Sequence, residues 1–140
     1  MVDKDLLAAK LTELAERVAR VRKHVPPGPE TLRDDRDMLD LVAFNLMLSV
    51  QTCTDIASHI IADEGWPAAR SLGEGFLRLE EHGAISSKTA AALRNAIGLR
   101  NVVAHGYAGL DIDRCFRGAT EGVNDLDAFA REVSSWAASQ

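Results

Sequence analysis

Hydrophobic residues recur every three or four positions along most of this 140-residue chain, which is the spacing of amphipathic α-helices. The first helical pattern stops at residues 26–29, where three prolines and a glycine exclude a helix interior. A second pattern begins near Glu30 or Thr31. Apolar residues are so dense between Met38 and Ile61 that we expect a long central helix, buried on more than one side. The apolar positions of the first helix are Leu7, Leu11, Leu14, Val18, Val21 and Val25.

Helix-stop and helix-start signals divide the second half of the chain into three further helices. Residues 65–67, Gly-Trp-Pro, end the central helix. Ser71 and Glu74 form a capping-box pattern ahead of a short helix that ends at Gly83. Two longer helices follow, and the first of them ends near Gly106. The expected caps are Ser86 or Ser87 and Asp111 or Asp113, with Gly122 and Asn124 as expected bends in the last helix. These five patterns predict an all-α, antiparallel helical bundle.

The composition supports one helical domain that spans residues 1–140. Aromatic residues make up only 5% of the chain, hydrophobic residues 46% and charged residues 26%, which disfavours an all-β fold and fits an ordinary globular protein. The longest uncharged apolar run, Leu41–Val50, is too short to cross a bilayer, and no export signal is visible. We therefore expect a cytoplasmic protein without a membrane span. Cys53 and Cys115 lack metal-binding spacing and are expected to be reduced thiols, and no metal or cofactor site is apparent.

Charge is unevenly distributed along the chain, whose net charge is −5. Residues 30–64 carry two arginines against eight acidic residues, a net charge of −6. Residues 86–117 carry five basic residues against two acidic ones, a net charge of +3. The overall negative charge argues against a protein that coats nucleic acid through a general positive field. Two interpretations of the basic segment remain: it complements the acidic segment across the bundle, or it forms a local anion site.

One short segment combines side chains that suit phosphodiester chemistry. Arg100 stands five positions before His105, and Tyr107 follows two positions later. Cleavage of RNA requires removal of a proton from a ribose 2′-hydroxyl, donation of a proton to the departing 5′-oxygen and stabilisation of charge on phosphorus. Histidine carries protons near neutral pH, and arginine is permanently charged. The segment therefore predicts an RNA-cleaving site that requires no metal.

Helical geometry limits how these residues can cooperate. At about 100° per residue, Tyr107 falls about 20° from Arg100, whereas His105 falls about 140° away and lies closer to Asn101. Either the helix unwinds at Gly106, or a second copy of the helix completes the site across a two-fold axis, and we favour the second arrangement. Purely structural roles are the alternative. His105 would then cap the helix C-terminus, and Arg100 would pair with an acid of the central helix.

The sequence resembles the HEPN superfamily, and within it the HepT-like toxins that accompany a minimal nucleotidyltransferase antitoxin. Residues 51–61 resemble the family's central-helix stretch with its Asp-Ile-Ala-x-His-Ile pattern. Residues 71–83 resemble its short helix that ends in Leu-x-x-x-Gly, and residues 97–107 match its R-x4-H-x-Y signature. The similarity covers about residues 36–136.

This resemblance implies a homodimeric helical bundle that acts as a metal-independent RNA endonuclease toxin. By position, Arg100 and His105 would be catalytic and Asn101 would support the site. The products implied are a 2′,3′-cyclic phosphate and a 5′-hydroxyl. The resemblance also implies that the antitoxin silences the toxin by transferring AMP from ATP onto the motif tyrosine. That residue corresponds to Tyr107, the only tyrosine of the chain.

Two interpretations from other functional classes stay open beside the nuclease. In one, the chain is a non-catalytic helical module in which Arg100 and His105 hold a nucleotide or a partner protein without cutting. In the other, it is a structural dimerisation domain with a buried motif, which requires His105 to be inaccessible to solvent. Asp55 and His59, polar residues four positions apart in the central helix, are expected to form a hydrogen-bonded pair or an interface contact.

Overall fold

Helices account for all the regular structure of the protein, which we describe from a computed structural model covering residues 1–140. The chain forms seven α-helices and one π-helical turn, with no β-strand. They are α1 (Lys4–His24), α2 (Pro29–Asp34), α3 (Arg36–Glu64), α4 (Leu72–Glu81), α5 (Ser87–Ala104), α6 (Ile112–Arg117), the π turn (Gly118–Gly122) and α7 (Val123–Ala138). The predicted all-α fold class is confirmed.

Two of the five predicted helices are divided in the structure. The backbone of Asp35 is extended, and its side chain accepts a hydrogen bond from the Met38 N–H, so this residue ends α2 and caps α3. The π turn separates α6 from α7 next to the predicted bend at Gly122. Gly118 in this turn sits tightly against its neighbours, because a Cβ atom there would lie 2.9 Å from the Leu46 side chain. A larger residue at this position would require the neighbouring leucine side chains to move.

Helix α3 is the centre of the core. It packs against α1, α4, α5 and the C-terminal helices, and side chains such as Val42, Ile56 and Ile60 are fully buried. Burying one such aliphatic side chain contributes about 1.5–3 kcal/mol. Length and composition alone would allow this helix to cross a membrane, but 61% of its most apolar window is buried inside the fold. That burial is typical of the core helix of a bundle.

The N-terminus of α5 is anchored to α7 through Glu132. Its carboxylate accepts hydrogen bonds from the Ser86 N–H and the Thr89 hydroxyl, both at 2.6 Å. Partial burial acts to raise the pKa of Glu132, but the hydrogen bonds from Thr89 and Ser86 outweigh it, so the pKa lies below its ordinary value. This anchor fixes the start of the helix that carries residues 100–104.

The two cysteines are free and buried, which confirms the prediction of reduced thiols. Burial raises the pKa of Cys115 to about 11 and that of Cys53 further still. Both thiols are consequently protonated near neutral pH and pack as small apolar side chains.

Candidate active site

Helix α5 ends at Ala104, close to the predicted end at Gly106. His105 is the C-cap residue, and its N–H donates to the Asn101 carbonyl oxygen at 3.1 Å. Gly106 and Tyr107 then both adopt left-handed backbone angles, with φ of 87° and 74°. Such a conformation costs a non-glycine residue about 1–3 kcal/mol and is concentrated at functional sites. The chain therefore turns sharply inside the R-x4-H-x-Y segment instead of continuing as a helix.

Arg100 lies at the contact between α5 and α3. Its Nη2 donates to Gln51 Oε1 at 3.3 Å, and its Nη1 donates to Asn101 Oδ1 at 2.9 Å. Both acceptors are neutral amides, so no carboxylate neutralises the guanidinium. Its Nε is buried without any hydrogen-bond partner in the protein. The expectation that Arg100 pairs with an acid of the central helix is wrong, and its positive charge remains available to an anion.

His105 lies on the other side of α5 and is exposed. Because the helix is regular through Ala104, the Cα of His105 lies about 140° around the axis from Arg100. Asn101, also exposed, lies between the two residues on the helix surface. The fold of a single protomer therefore does not bury His105, and burial of the motif between two copies stays a prediction. The place of His105 at the C-cap, in contrast, agrees with the predicted capping position.

Tyr107 is half-buried and turns toward the first turns of α3. The Arg36 guanidinium carbon lies 4.9 Å from the centre of the Tyr107 ring, and Arg36 Nε donates to Asp40 Oδ1 at 3.0 Å. Burial, reinforced by the Asp40 carboxylate next to the hydroxyl, raises the pKa of Tyr107 to about 12. The nearby Tyr107 hydroxyl and then the contact with Arg36 lower the pKa of Asp40. The tyrosine hydroxyl is thus protonated and held at α3.

The partners of Arg100 and Tyr107 on α3 belong to one stripe of that helix. Asp40, Phe44 and Gln51 lie within about 40° of one another around the α3 axis, and we call them the α3 stripe. Phe44, which lies between Asp40 and Gln51 along this stripe, is 50% exposed, which is high for a phenylalanine. It lies in the dense apolar stretch between Met38 and Ile61 that predicts a helix buried on more than one side. The polar residues of the same stripe, Asp40 and Gln51, are the sequence signal that Phe44 faces outward.

The two charged segments are joined by a single ion pair. No salt bridge joins an acidic residue of the 30–64 segment to a basic residue of the 86–117 segment, and both interpretations of the basic segment stay predictions. In the one ion pair between them, the acidic segment supplies the cation, Arg33, and the basic segment supplies the anion, Asp113, at 2.6 Å. Arg114 donates instead to the Asn95 carbonyl oxygen at 2.9 Å. Arg100 and Arg114 thus donate to amide and carbonyl oxygens and not to carboxylates.

Comparison with known proteins places this arrangement in a family. Residues 14–133 match the family described as Ribonuclease HepT-like. The chain belongs to this HepT-like ribonuclease family. It is 24% identical over 125 residues to the mRNA nuclease HepT of Shewanella oneidensis, covering 89% of this chain and 93% of that protein.

Solved structures share the fold of this HepT-like chain. One is a crystal structure of a toxin–antitoxin with AMP-PNP, which superposes with a TM-score of 0.88 at 22% identity, covering 94% of this chain and 98% of that one. Another is the tri-AMPylated HEPN toxin of Shewanella oneidensis in complex with an MNT antitoxin, with a TM-score of 0.87 at 23% identity and the same coverage. These likenesses confirm the fold that the sequence resemblance implied.

Other polar groups of the HepT-like chain do not converge. His59 is exposed and makes no hydrogen bond with Asp55, whose nearest cation is Lys10 at 4.0 Å. The predicted Asp55–His59 pair is therefore wrong, while an interface contact stays a prediction. No three histidine, cysteine or acidic side chains are grouped as a metal site requires.

A cavity of about 350 Å³ lies between α3, α5 and the π turn. Leu46 and Val50 form its α3 wall. Both residues point away from the α3 stripe, since Leu46 lies about 200° from Phe44 around the helix. The cavity is thus separate from the surface that carries Arg100 and Tyr107.

Proposed function

We propose that this chain is a metal-independent RNA endonuclease toxin that acts as a homodimer. One observation carries the proposal: Arg100 and His105 form an R-x4-H pair without acidic partners, yet they lie on different sides of α5. A charge-bearing arginine and an exposed histidine suit RNA cleavage, and their separation calls for a second protomer. Family membership and the similarity to an mRNA nuclease support the same activity.

In this proposal His105 and Arg100 divide the chemistry of transesterification. The ribose 2′-oxygen loses its proton and bonds to phosphorus, while the bond to the 5′-oxygen breaks and that oxygen gains a proton. His105 moves these protons, and Arg100 stabilises the added negative charge on the phosphoryl oxygens. The products are a 2′,3′-cyclic phosphate and a 5′-hydroxyl. Asn101 orients Arg100 through their hydrogen bond.

A second copy of the chain completes the cleft in this proposal. In a two-fold dimer each copy presents the same surface to the other, and the exposed Phe44 lies on the surface that also holds Arg100 and Tyr107. Burying an exposed aromatic ring stabilises an interface by about 1.5–3 kcal/mol. Dimerisation also doubles the positive charge in the groove, which compensates for the net charge of −5 on each protomer.

Cleavage in the presence of a chelator tests this activity. We expect the purified protein to cut single-stranded RNA with excess EDTA present, and to leave cyclic phosphate ends that mass spectrometry of the fragments identifies. A DNA strand of the same sequence serves as the control, because it lacks the attacking 2′-hydroxyl and must stay intact. RNA that is bound but never cut would overturn the nuclease and select the non-catalytic binding module. Cleavage lost with EDTA and restored by a metal would overturn metal independence.

The proposed partner is a minimal nucleotidyltransferase antitoxin that transfers AMP from ATP to Tyr107. Similar solved structures contain such an antitoxin, and one of the toxins in them is AMPylated. In this chain the tyrosine hydroxyl lies on the same surface as Arg100. An AMP group there adds bulk and negative charge to a cleft that must attract RNA, so both effects oppose substrate binding. A toxin with these partners acts in the cytoplasm, where its RNA is found.

Intact-mass measurement tests the acceptor. Incubation with the antitoxin and ATP is expected to add one or more AMP masses to the wild-type chain and none to Tyr107→Phe, because Tyr107 is the only tyrosine. The modified protein is expected to lose RNA cleavage. The variant keeps the ring that packs under Arg36, so it isolates the hydroxyl. AMP found on Tyr107→Phe would rule out this acceptor.

A further inference from the structure

The acceptor tyrosine is held by an ion pair that the R-x4-H-x-Y motif does not include. Asp40 lies next to the Tyr107 hydroxyl, and Arg36 contacts both residues, through its Nε to Asp40 at 3.0 Å and through its guanidinium face to the ring at 4.9 Å. Arg36 and Asp40 stand one turn apart on α3, so the helix itself sets their spacing. Tyr107 is 67 positions away from Asp40 in the sequence, so only the folded chain brings it next to these two residues.

The backbone of Tyr107 is fixed as firmly as its side chain. Its N–H donates to the Val102 carbonyl oxygen at 3.1 Å, and its own carbonyl accepts from the Leu110 N–H at 2.9 Å. These bonds maintain the left-handed conformation, with φ of 74°, that a tyrosine does not adopt freely. A strained backbone at the residue that carries the acceptor hydroxyl is a sign of a functional constraint.

The geometry points to Asp40 as the residue that orients the Tyr107 hydroxyl and accepts its proton during AMP transfer. Arg36 holds the Asp40 carboxylate in place through their hydrogen bond. The role of Asp40 rests on the proposed modification of Tyr107. It places the proton acceptor of the transfer step on the toxin, next to the oxygen that reacts. Arg36 keeps the carboxylate charged and turned toward the ring, and so acts as a positioning residue.

The transfer step balances with these groups and ATP. The Tyr107 oxygen forms a bond to the α-phosphorus of ATP, and the bond from that phosphorus to the oxygen bridging to the β-phosphorus breaks. Pyrophosphate leaves with the bonding electron pair, and the phenolic proton passes to the Asp40 carboxylate. A free phenolate is not formed beforehand, because burial and Asp40 raise the pKa of Tyr107 to about 12. The proton leaves as the oxygen–phosphorus bond forms, when the phenol becomes strongly acidic.

An antitoxin-free titration tests the contact. The phenolate has its own near-ultraviolet absorbance, and with a single tyrosine in the chain this signal reports on Tyr107 alone. We expect Asp40→Asn to lower the pKa of Tyr107 below about 12, while burial, the largest cause of the shift, still keeps it above its ordinary value. The other groups that act on the hydroxyl, Arg36 of α3 and Cys115 of α6, are unchanged in this variant. An unchanged titration would overturn the contact and with it the proposed role.

The rate of AMP addition tests the role itself. Under single turnover with saturating antitoxin and ATP, Asp40→Asn is expected to slow the transfer by at least about 100-fold, the usual loss when a general base is removed. Its rate should also rise about tenfold per pH unit, because only the scarce phenolate then reacts. The wild-type rate should change far less over the same range. A structural role alone would not introduce this pH dependence.

Asp37→Asn is the matched control. Asp37 is an exposed acid in the first turn of α3, it does not contribute to the pKa of Tyr107, and its replacement removes the same charge. It should leave both titration and transfer rate unchanged, and far-ultraviolet circular dichroism should show both variants to be folded. Equal transfer rates in wild type and Asp40→Asn would overturn the inference. A wild-type chain that accepts no AMP would instead overturn the proposed modification, whatever the titration shows.

Discussion

A heterodimer of Arg100→Ala and His105→Ala is expected to cleave RNA at about half the wild-type rate, although each variant alone is inactive. Each homodimer lacks either the charge stabiliser or the proton carrier, so each should lose at least about 100-fold in rate. If arginine from one copy works with histidine from the other, the heterodimer contains one intact pair and one doubly damaged pair. Co-expression with two different tags yields this heterodimer for the measurement.

The reciprocal heterodimer decides between the two possible geometries. Wild type paired with the Arg100→Ala, His105→Ala double variant damages both sites if the pair acts across the dimer, so cleavage should fall at least about 100-fold. If both residues of one protomer act together, this heterodimer keeps about half the activity and the first one keeps none. That pattern would contradict the composite cleft. Circular dichroism checks that the helices persist in every variant.

Phe44→Asp is expected to convert the dimer to a monomer and to abolish cleavage. The ring is 50% exposed in the protomer, so the substitution leaves the core of each copy intact. Burying an unpaired carboxylate in each half of a two-fold interface costs several kcal/mol, which corresponds to a loss of more than about 1,000-fold in dimer affinity. Light scattering after size-exclusion chromatography measures the mass, and the RNA assay measures the activity.

The chain offers a control of matched chemistry for this test. Leu72, at the start of α4, is also an exposed large hydrophobic residue, 38% accessible, but it lies outside the α3 stripe. Leu72→Asp should remain dimeric and active, and Phe44→Leu should keep most of the dimer. A dimeric, active Phe44→Asp protein would show that the copies meet through another surface.

The helix starts were predictable from the sequence because each depends on a hydrogen bond within three residues. Ser71, Ser86 and Asp111 all accept a hydrogen bond from the N–H three positions later, as their capping patterns indicated. The break between α2 and α3 at Asp35, in contrast, was not predictable from the sequence. Asp35 stands in a run of charged residues ahead of the dense apolar pattern that begins at Met38, and apolar periodicity does not reveal one extended residue between two helices.

The sequence names the residues of the candidate site, and their roles stay predictions, but it does not show their contacts. The angular separation of Arg100 and His105 follows from helix geometry and is retained in the structure. The partners Gln51 and Asp40 could not be identified, because they are 49 and 67 positions away from Arg100 and Tyr107. Packing of α5 against α3 sets those pairs. The exposure of Phe44 was missed for the same reason, since it depends on which face of α3 the other helices leave open.

The enclosed Nε of Arg100 links the stability of the resting protein to its affinity for ligand. A buried donor without an acceptor raises the free energy of the folded state by about 1–3 kcal/mol. A phosphoryl oxygen that reached this nitrogen would recover that energy as binding affinity. Selection for a more robust fold would favour an apolar residue at this position, and selection for toxicity would retain the guanidinium. Related toxins that are no longer selected for toxicity should therefore replace Arg100 with an apolar residue early, and their melting temperature should rise as a result.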